Sequence, residues 1–162
     1  MIVPHRRITQ IEILVELLKQ RGMTVATAES CTGGLLGKSI TDISGSSAVY
    51  PGGVISYCNR VKHRILGVDG ELLDRLGPVS MAVAHRMAAG VRRVIGADLG
   101  VGITGIAGPN SDETGRPVGL VYIGVTDGSM SLVREYRFDS DRGAVRARAA
   151  EAAADLALEL IG

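Results

Sequence analysis

The stretch Thr24-Val-Ala-Thr-Ala-Glu-Ser-Cys-Thr-Gly-Gly34 decides the fold. Its apolar first half predicts a short buried strand over Val25–Ala28, and the residues that follow, 29–32, predict a polar corner. A helix is expected to begin around Gly33-Gly34 and to continue through Ile40. The chain therefore passes from strand to helix through a corner of small hydroxyl-bearing residues.

Such a corner is a favourable position for a nucleophile. The first N–H groups of a helix have no acceptors within the helix and carry partial positive charge, so they attract an anion or a developing oxyanion. Ser30 would lie beside these donors. We therefore interpret Ser30 as a candidate nucleophile, with backbone donors at Thr32, Gly33 and Gly34.

Outward from this stretch, predicted helices alternate with apolar strands and a hairpin precedes the last helix. This order predicts a single α/β domain over residues 1–162, a three-layer α/β/α sandwich with a mixed, mostly parallel sheet and a C-terminal hairpin and helix. The signals are a capping box at Thr9-x-x-Glu12 with Gly22 ending its helix, a strand at Val54–Tyr57, helix caps at Asn59 and Ser80, a short helix that begins at Asp69 or Gly70, a strand at Leu99–Thr104, strands at Gly119–Thr126 and Ser131–Phe138 around Asp127-Gly128, and a helix after Asp141.

Composition narrows the functional class. The chain has 162 residues, a formal net charge of +1, 3% aromatic residues and no Trp, so neither a nucleic-acid surface nor a membrane-binding patch is expected. No apolar run approaches the ~18 residues of a membrane span, and the N-terminus does not resemble a signal peptide. Two cysteines without metal-binding spacing fit a reducing compartment, and we expect a cytoplasmic protein.

Three polar corners follow predicted strands and are expected to meet. Ser30 follows the first strand, Tyr57 ends the second and Thr104-Gly105 ends the third. Ligands of open α/β sheets bind at the carboxyl ends of the strands. The sequence therefore predicts one site at this edge of the sheet.

A serine nucleophile needs a base that takes its proton. Lys62, in the first turn of a helix just after Tyr57, could serve if burial lowered its pKa, and Tyr57 could relay the proton or orient the nucleophile. The alternative for Lys62 is an ordinary solvated lysine on the surface. A histidine could also serve as the base. The chain has three, His5, His63 and His85, and only His63 lies near a predicted corner.

Other side chains have competing interpretations. Cys31 and Cys58 are expected to be buried, inert thiols, and no metal-binding motif is present. The Gly-rich segment Thr104-Gly-Ile-Ala-Gly-Pro109 could cradle a phosphate or form an ordinary turn. Arg142 and Arg146, one turn apart on the last helix, could bind a phosphate or cover the surface.

Six motifs together resemble the CinA C-terminal domain family, the nicotinamide mononucleotide deamidases. The resemblance covers roughly residues 8 to 161, and the motifs occur in the family's order. They are Ala28-Glu-Ser-Cys-Thr-Gly-Gly34, Tyr57-x-Asn59-x-x-Lys62, Gly77-x-Val-Ser80, Met87-Ala-x-Gly90, Thr104-Gly-Ile-Ala-Gly-Pro109 and Arg116-Pro-Val-Gly119.

The resemblance implies hydrolysis of the carboxamide of nicotinamide mononucleotide to the acid, with release of ammonia, in pyridine nucleotide recycling. It implies a Ser-Tyr-Lys group that maps onto Ser30, Tyr57 and Lys62, no metal or other cofactor, and a homo-oligomer. It also leads us to expect substrate contacts, which would be made by Thr104, Gly105, Ala107, Gly108, Arg142 and Arg146.

The chain departs from the family pattern in its loops. Asn110-Ser111-Asp112 replaces frequent glycines, Arg116 replaces a frequent Lys, and Ser140-Asp141 replaces a common Gly-Asp. These differences bear on loop conformation and phosphate contacts more than on the nucleophile. The alternative function is a non-catalytic nucleotide-binding module linked to competence or DNA damage, although such a module would not need a nucleophile and a base.

Overall fold

A five-stranded mixed sheet forms the centre of the computed structural model, which describes residues 6–162. The strands are β1 (Val25–Glu29), β2 (Gly52–Ile55), β3 (Leu99–Gly105), β4 (Leu120–Thr126) and β5 (Ser131–Arg137). Their order across the sheet is β2-β1-β3-β4-β5. β1 pairs in parallel with β2 and β3, whereas β4 runs antiparallel to β3 and β5. The carboxyl ends of β1, β2 and β3 therefore share one edge of the sheet.

Within the described residues, six α-helices accompany the sheet. They are α1 (Gln10–Arg21), α2 (Leu35–Thr41), α3 (Asn59–Arg64), α4 (Gly70–Leu76), α5 (Met81–Ile95) and α6 (Arg142–Ile161). Within residues 6–162 none of them is long and apolar enough to cross a membrane.

Helices cover both faces of the sheet. Alternate residues of a strand point to opposite faces, and along β1 Val25 packs in a core with residues of α1, α2 and α6, whereas Ala26 packs in a second core with residues of α4 and α5. This arrangement confirms the predicted three-layer α/β/α sandwich with a C-terminal hairpin and helix.

Local signals located most helix ends correctly. Thr9 and Glu12 form the predicted capping box of α1, and Gly22 ends that helix in the left-handed conformation, with φ of 63°. The side chains of Asp69 and Ser80 accept hydrogen bonds from the first turns of α4 and α5.

Helix α2 begins later than predicted. Gly33 and Gly34 have φ values of 59° and 100°, in the left-handed region that favours glycine, so neither residue can continue a right-handed helix. The first helical residue is therefore Leu35. The two glycines belong to the turn that joins Ser30 to the helix.

Strand β2 ends two residues before the predicted Tyr57. The Ser56 N–H donates to the Glu29 carbonyl at 2.8 Å, after which the chain leaves the sheet. Cys58, rather than Asn59, is the residue that precedes the first turn of α3. Tyr57 consequently lies in the connection between β2 and α3.

Candidate active site

The end of β1 fixes the position of Ser30. This residue directly follows Glu29, the last residue of β1, and its N–H donates to the carbonyl of Ile103 on β3 at 3.0 Å. Only 8% of Ser30 is exposed. The candidate nucleophile is therefore held by the sheet itself and not by a mobile loop.

Lys62 lies directly against Ser30. Its Nζ is 2.9 Å from the Ser30 Oγ and donates to the Ser56 carbonyl at 2.8 Å. The residue is 1% exposed, which excludes the interpretation of Lys62 as a solvated surface lysine. Side chains that are 32 positions apart in the chain thus form a hydrogen-bonded pair at the carboxyl edge of the sheet.

Burial also prepares Lys62 for proton transfer. Removing an ammonium group from water disfavours its charged form, and burial lowers the pKa of Lys62 to about 8 from an ordinary value near 10.5. No carboxylate contacts this amine among the residues that the structure describes. A substantial fraction of Lys62 is therefore neutral near physiological pH.

Glu29 anchors the corner, a role that sequence reasoning missed. Its buried carboxylate accepts hydrogen bonds from the N–H groups of Leu36 and Gly37, at 2.8 and 2.9 Å. These contacts tie the first turn of α2 to the end of β1. A Cβ on Gly37 would lie 2.5 Å from the Tyr50 hydroxyl, so a larger residue there would require Tyr50 to move. The sequence signal that could have indicated this role of Glu29 is an acidic residue in the corner that precedes the N-terminus of α2.

A cleft of about 250 Å³ opens over the Ser30–Lys62 pair. Five of the six predicted substrate contacts line it, two at the end of β3, two in the segment that follows β3 and one on α6: Thr104, Gly105, Ala107, Gly108 and Arg142. The Thr104 hydroxyl already donates to the Pro78 carbonyl at 2.7 Å, so it holds the loop before α5 in place.

Tyr57 lies at the cleft but does not touch the pair. The residue is 63% exposed, and its hydroxyl accepts a hydrogen bond from Arg142 at 3.3 Å. Arg142 also donates to the Gly108 carbonyl at 2.6 Å. The structure therefore brings Ser30 and Lys62 together and places Tyr57 with Arg142; a proton relay through Tyr57 stays a prediction.

The predicted backbone donors have different environments. The Gly33 N–H donates to the Ser30 carbonyl at 3.0 Å and is thereby occupied. Thr32 is fully buried, and Gly34 precedes the first residue of α2. Arg146, expected to contact substrate, donates instead to the carbonyls of Cys31 and Thr32, at 3.1 and 3.0 Å.

The alternative bases and nucleophiles have other environments. His63 bonds the Val68 carbonyl and His85 bonds Ser131, whereas His5 lies outside the described residues. Burial raises the pKa of the Cys31 thiol to about 11, which keeps it protonated. Cys58 is exposed, so the expectation that it is buried was wrong: it lies where the chain leaves the sheet to start α3. Within residues 6–162 no three His, Cys, Asp or Glu side chains are grouped as metal ligands.

The loop that departs from the family pattern forms part of the cleft. Asn110, Ser111 and Asp112 all line it. The Asp112 carboxylate accepts hydrogen bonds from the backbone of Thr114 and Arg116. The Arg116 side chain donates to the Leu76 carbonyl at 2.7 Å, at the end of α4. These hydrogen bonds of polar groups therefore hold the loop in place.

Comparisons with known proteins show the family of the chain and agree with its fold. A family model described as "CinA C-terminal domain" matches residues 8–161. A CinA-like protein of Geobacter sulfurreducens is 46% identical over 142 residues, which are 88% of this chain. A CinA-like protein of Thermosynechococcus vestitus is 51% identical over 132 residues, 81% of this chain. The chain spans only 34% and 32% of the length of these two relatives.

Solved structures give the same result. The competence/damage inducible protein CihA from Agrobacterium tumefaciens superposes with a TM-score of 0.88 at 35% identity, and the match covers 100% of both chains. A competence-damaged protein (CinA) superfamily protein from Enterobacter cloacae gives a TM-score of 0.90 at 29% identity, covering 100% of this chain and 98% of the other.

Proposed function

This chain belongs to the CinA C-terminal domain family, and we propose that it is a serine amidohydrolase that converts nicotinamide mononucleotide to nicotinate mononucleotide and ammonia. One observation carries the proposal: the buried Lys62 amine lies 2.9 Å from the Ser30 hydroxyl inside a cleft. A non-catalytic nucleotide-binding module has no use for a buried lysine of lowered pKa against a serine, because burying an amine destabilises the fold.

In the acylation step, Lys62 acts as the general base. A neutral amine has two N–H groups and one lone pair; one N–H can bond the Ser56 carbonyl while the lone pair faces the Ser30 hydroxyl. Lys62 takes the Ser30 proton as Oγ bonds to the carboxamide carbon. The carbonyl oxygen becomes an oxyanion, and a backbone N–H of the Ser30 corner stabilises it.

The intermediate then collapses. The Lys62 ammonium returns its proton to the amide nitrogen, the C–N bond breaks, and ammonia leaves an ester on Ser30. Water attacks that ester while Lys62 again accepts a proton. The carboxylic acid departs and the Ser30 hydroxyl is restored, so the cycle consumes only water and the amide.

The choice of substrate draws on the family resemblance and on the charge of the cleft. Arg142 is a cationic side chain that lines the cleft, and a guanidinium binds phosphate well. The polar row Asn110-Ser111-Asp112 offers partners for ribose hydroxyls. A pyridine nucleotide supplies a carboxamide, a ribose and a phosphate in one molecule.

The direct test is a product assay on the purified chain. Incubated with nicotinamide mononucleotide, it is expected to release ammonia and nicotinate mononucleotide in equal amounts, measured by an enzyme-coupled ammonia assay and by chromatography. Nicotinamide riboside, which lacks the phosphate, serves as the matched substrate and should have a higher KM. Tight binding of the nucleotide by calorimetry without any product would favour the non-catalytic alternative.

The pH dependence of kcat/KM should report the titration of Lys62. Because the catalytic form is neutral, kcat/KM is expected to rise with pH and to reach half its plateau near pH 8. At pH 7 roughly a tenth of Lys62 is then neutral, compared with roughly 0.03% for an ordinary lysine. Rates measured between pH 7 and 10, above the second phosphate pKa of about 6, should show this rise, and a flat profile would contradict it.

A further inference from the structure

Arg146 holds the backbone of the corner that contains Ser30. Its Nε donates to the Cys31 carbonyl at 3.1 Å and its Nη2 to the Thr32 carbonyl at 3.0 Å. These carbonyls are 115 and 114 positions away in the chain. A Cβ on Gly33 would lie 3.2 Å from the same Nη2, so the guanidinium packs closely against the turn. Arg146 is absent from the residues that line the cleft.

These bonds determine where the neighbouring N–H groups point. A peptide unit is planar and trans, so its C=O and N–H point in opposite directions. Fixing the Thr32 carbonyl on Arg146 orients the following N–H, that of Gly33, which donates to the Ser30 carbonyl at 3.0 Å. That bond in turn orients the peptide unit between Ser30 and Cys31. Because the Ser30 carbonyl points toward Gly33, the Cys31 N–H of the same unit points away from Gly33.

Three N–H groups of this corner, those of Cys31, Thr32 and Gly34, donate to no other residue within residues 6–162. Of these three residues, only Cys31, immediately after Ser30, lines the cleft. The peptide units on both sides of Cys31 are fixed, one by Gly33 and the other by Arg146. An N–H directly after the nucleophile is well placed to meet the oxygen of a carbonyl that the nucleophile attacks.

We propose that the Cys31 N–H is an oxyanion donor and that Arg146 is the positioning residue that keeps it aimed into the cleft. This inference rests on the proposed amidohydrolase function. It gives Arg146 a role exerted through the backbone, in place of the direct substrate contact expected from the sequence. It also assigns the oxyanion donor to Cys31 in place of the predicted Thr32, Gly33 and Gly34.

The test compares Arg146→Met with Arg148→Met, an exposed arginine on the same helix that touches no part of the site. Arg146→Met is expected to lower kcat about 10²-fold, the effect of losing one oxyanion donor, while KM for nicotinamide mononucleotide changes less than about threefold. Arg148→Met should leave both constants unchanged. Arg146→Lys, which keeps the charge but cannot bridge two carbonyls, should give an intermediate kcat.

A thioamide analogue of the substrate separates this role from a general loss of structure. Sulfur accepts hydrogen bonds weakly, so a working oxyanion donor makes the wild type prefer the carboxamide. This preference should fall about tenfold or more in Arg146→Met and persist in Arg148→Met.

Three results would decide against the proposal. An unchanged preference in a folded Arg146→Met variant, or a rise confined to KM, would overturn the role of Arg146. If Arg146→Met does not fold, an Arg146→Lys kcat equal to that of the wild type would overturn it. A wild type that releases no ammonia would overturn the proposed function itself.

Discussion

Ser30→Ala is expected to abolish ammonia release, with a loss in kcat of at least about 10³-fold. The substitution removes the oxygen that would form the acyl ester and leaves Lys62 with only the Ser56 carbonyl as a partner. The fold should persist, because the hydroxyl makes a single side-chain hydrogen bond and the backbone bond to Ile103 is retained. The measurement is steady-state turnover together with the thermal unfolding transition.

Ser47→Ala is the matched control, since Ser47 is an exposed serine in the turn after α2. It should retain full turnover. Added hydroxylamine gives a second readout, because it captures an acyl ester as a hydroxamate: the wild type should form the hydroxamate of the nucleotide, and Ser30→Ala should form none. Turnover in Ser30→Ala above about a tenth of the wild-type value would remove Ser30 from the mechanism.

Helix caps and turns that depend on residues close together in the chain could be predicted from the sequence. The capping box of Thr9 and Glu12, the cap at Ser80 and the hairpin around Asp127-Gly128 each depend on residues within a few positions of one another, and the structure contains all three. The errors at the start of α2 and the end of β2 have the same origin. The positive φ values of Gly33 and Gly34 set the start of α2, and the hydrogen bond from Ser56 to Glu29 sets the end of β2. Hydrophobic periodicity reveals neither of these features.

The site depends on contacts between distant segments, which local patterns do not specify. The sequence leaves open whether Lys62 is a base or a surface lysine, because its burial is set by how α3 docks beside β1. Arg146 is separated from Cys31 by 115 positions, so its spacing on α6 predicts a cation facing the site but not its bond to the corner. The sequence predicts that Glu29 lies in a polar corner, but it does not predict its hydrogen bonds to the first turn of α2. The partners of its carboxylate lie seven and eight residues later, beyond the spacing of a capping box.

Lys62→Met is expected to abolish turnover and at the same time to stabilise the protein. Loss of the base should lower kcat by at least about 10³-fold, comparable to the loss in Ser30→Ala, because the two residues act as one unit. Methionine fills a similar volume without a charge, and replacing a buried charged group by an apolar one often stabilises a fold by about 1–4 kcal/mol. The free energy of unfolding at pH 7 should therefore rise by about 1–3 kcal/mol.

The size of this stability change depends on pH in a way that identifies Lys62. Its pKa is lower in the folded state, about 8, than the ordinary 10.5 of an unfolded chain, so the folded state is penalised fully below pH 8. That penalty disappears as pH rises from about 8 to 10.5, and the advantage of Lys62→Met should shrink over the same interval. Lys38→Met is the control, because Lys38 is exposed and paired with Asp42, and it should alter stability by less than about 0.5 kcal/mol with full activity. A Lys62→Met variant that is less stable than the wild type at pH 7, or that retains turnover, would show that Lys62 is not the buried base of lowered pKa that the mechanism requires.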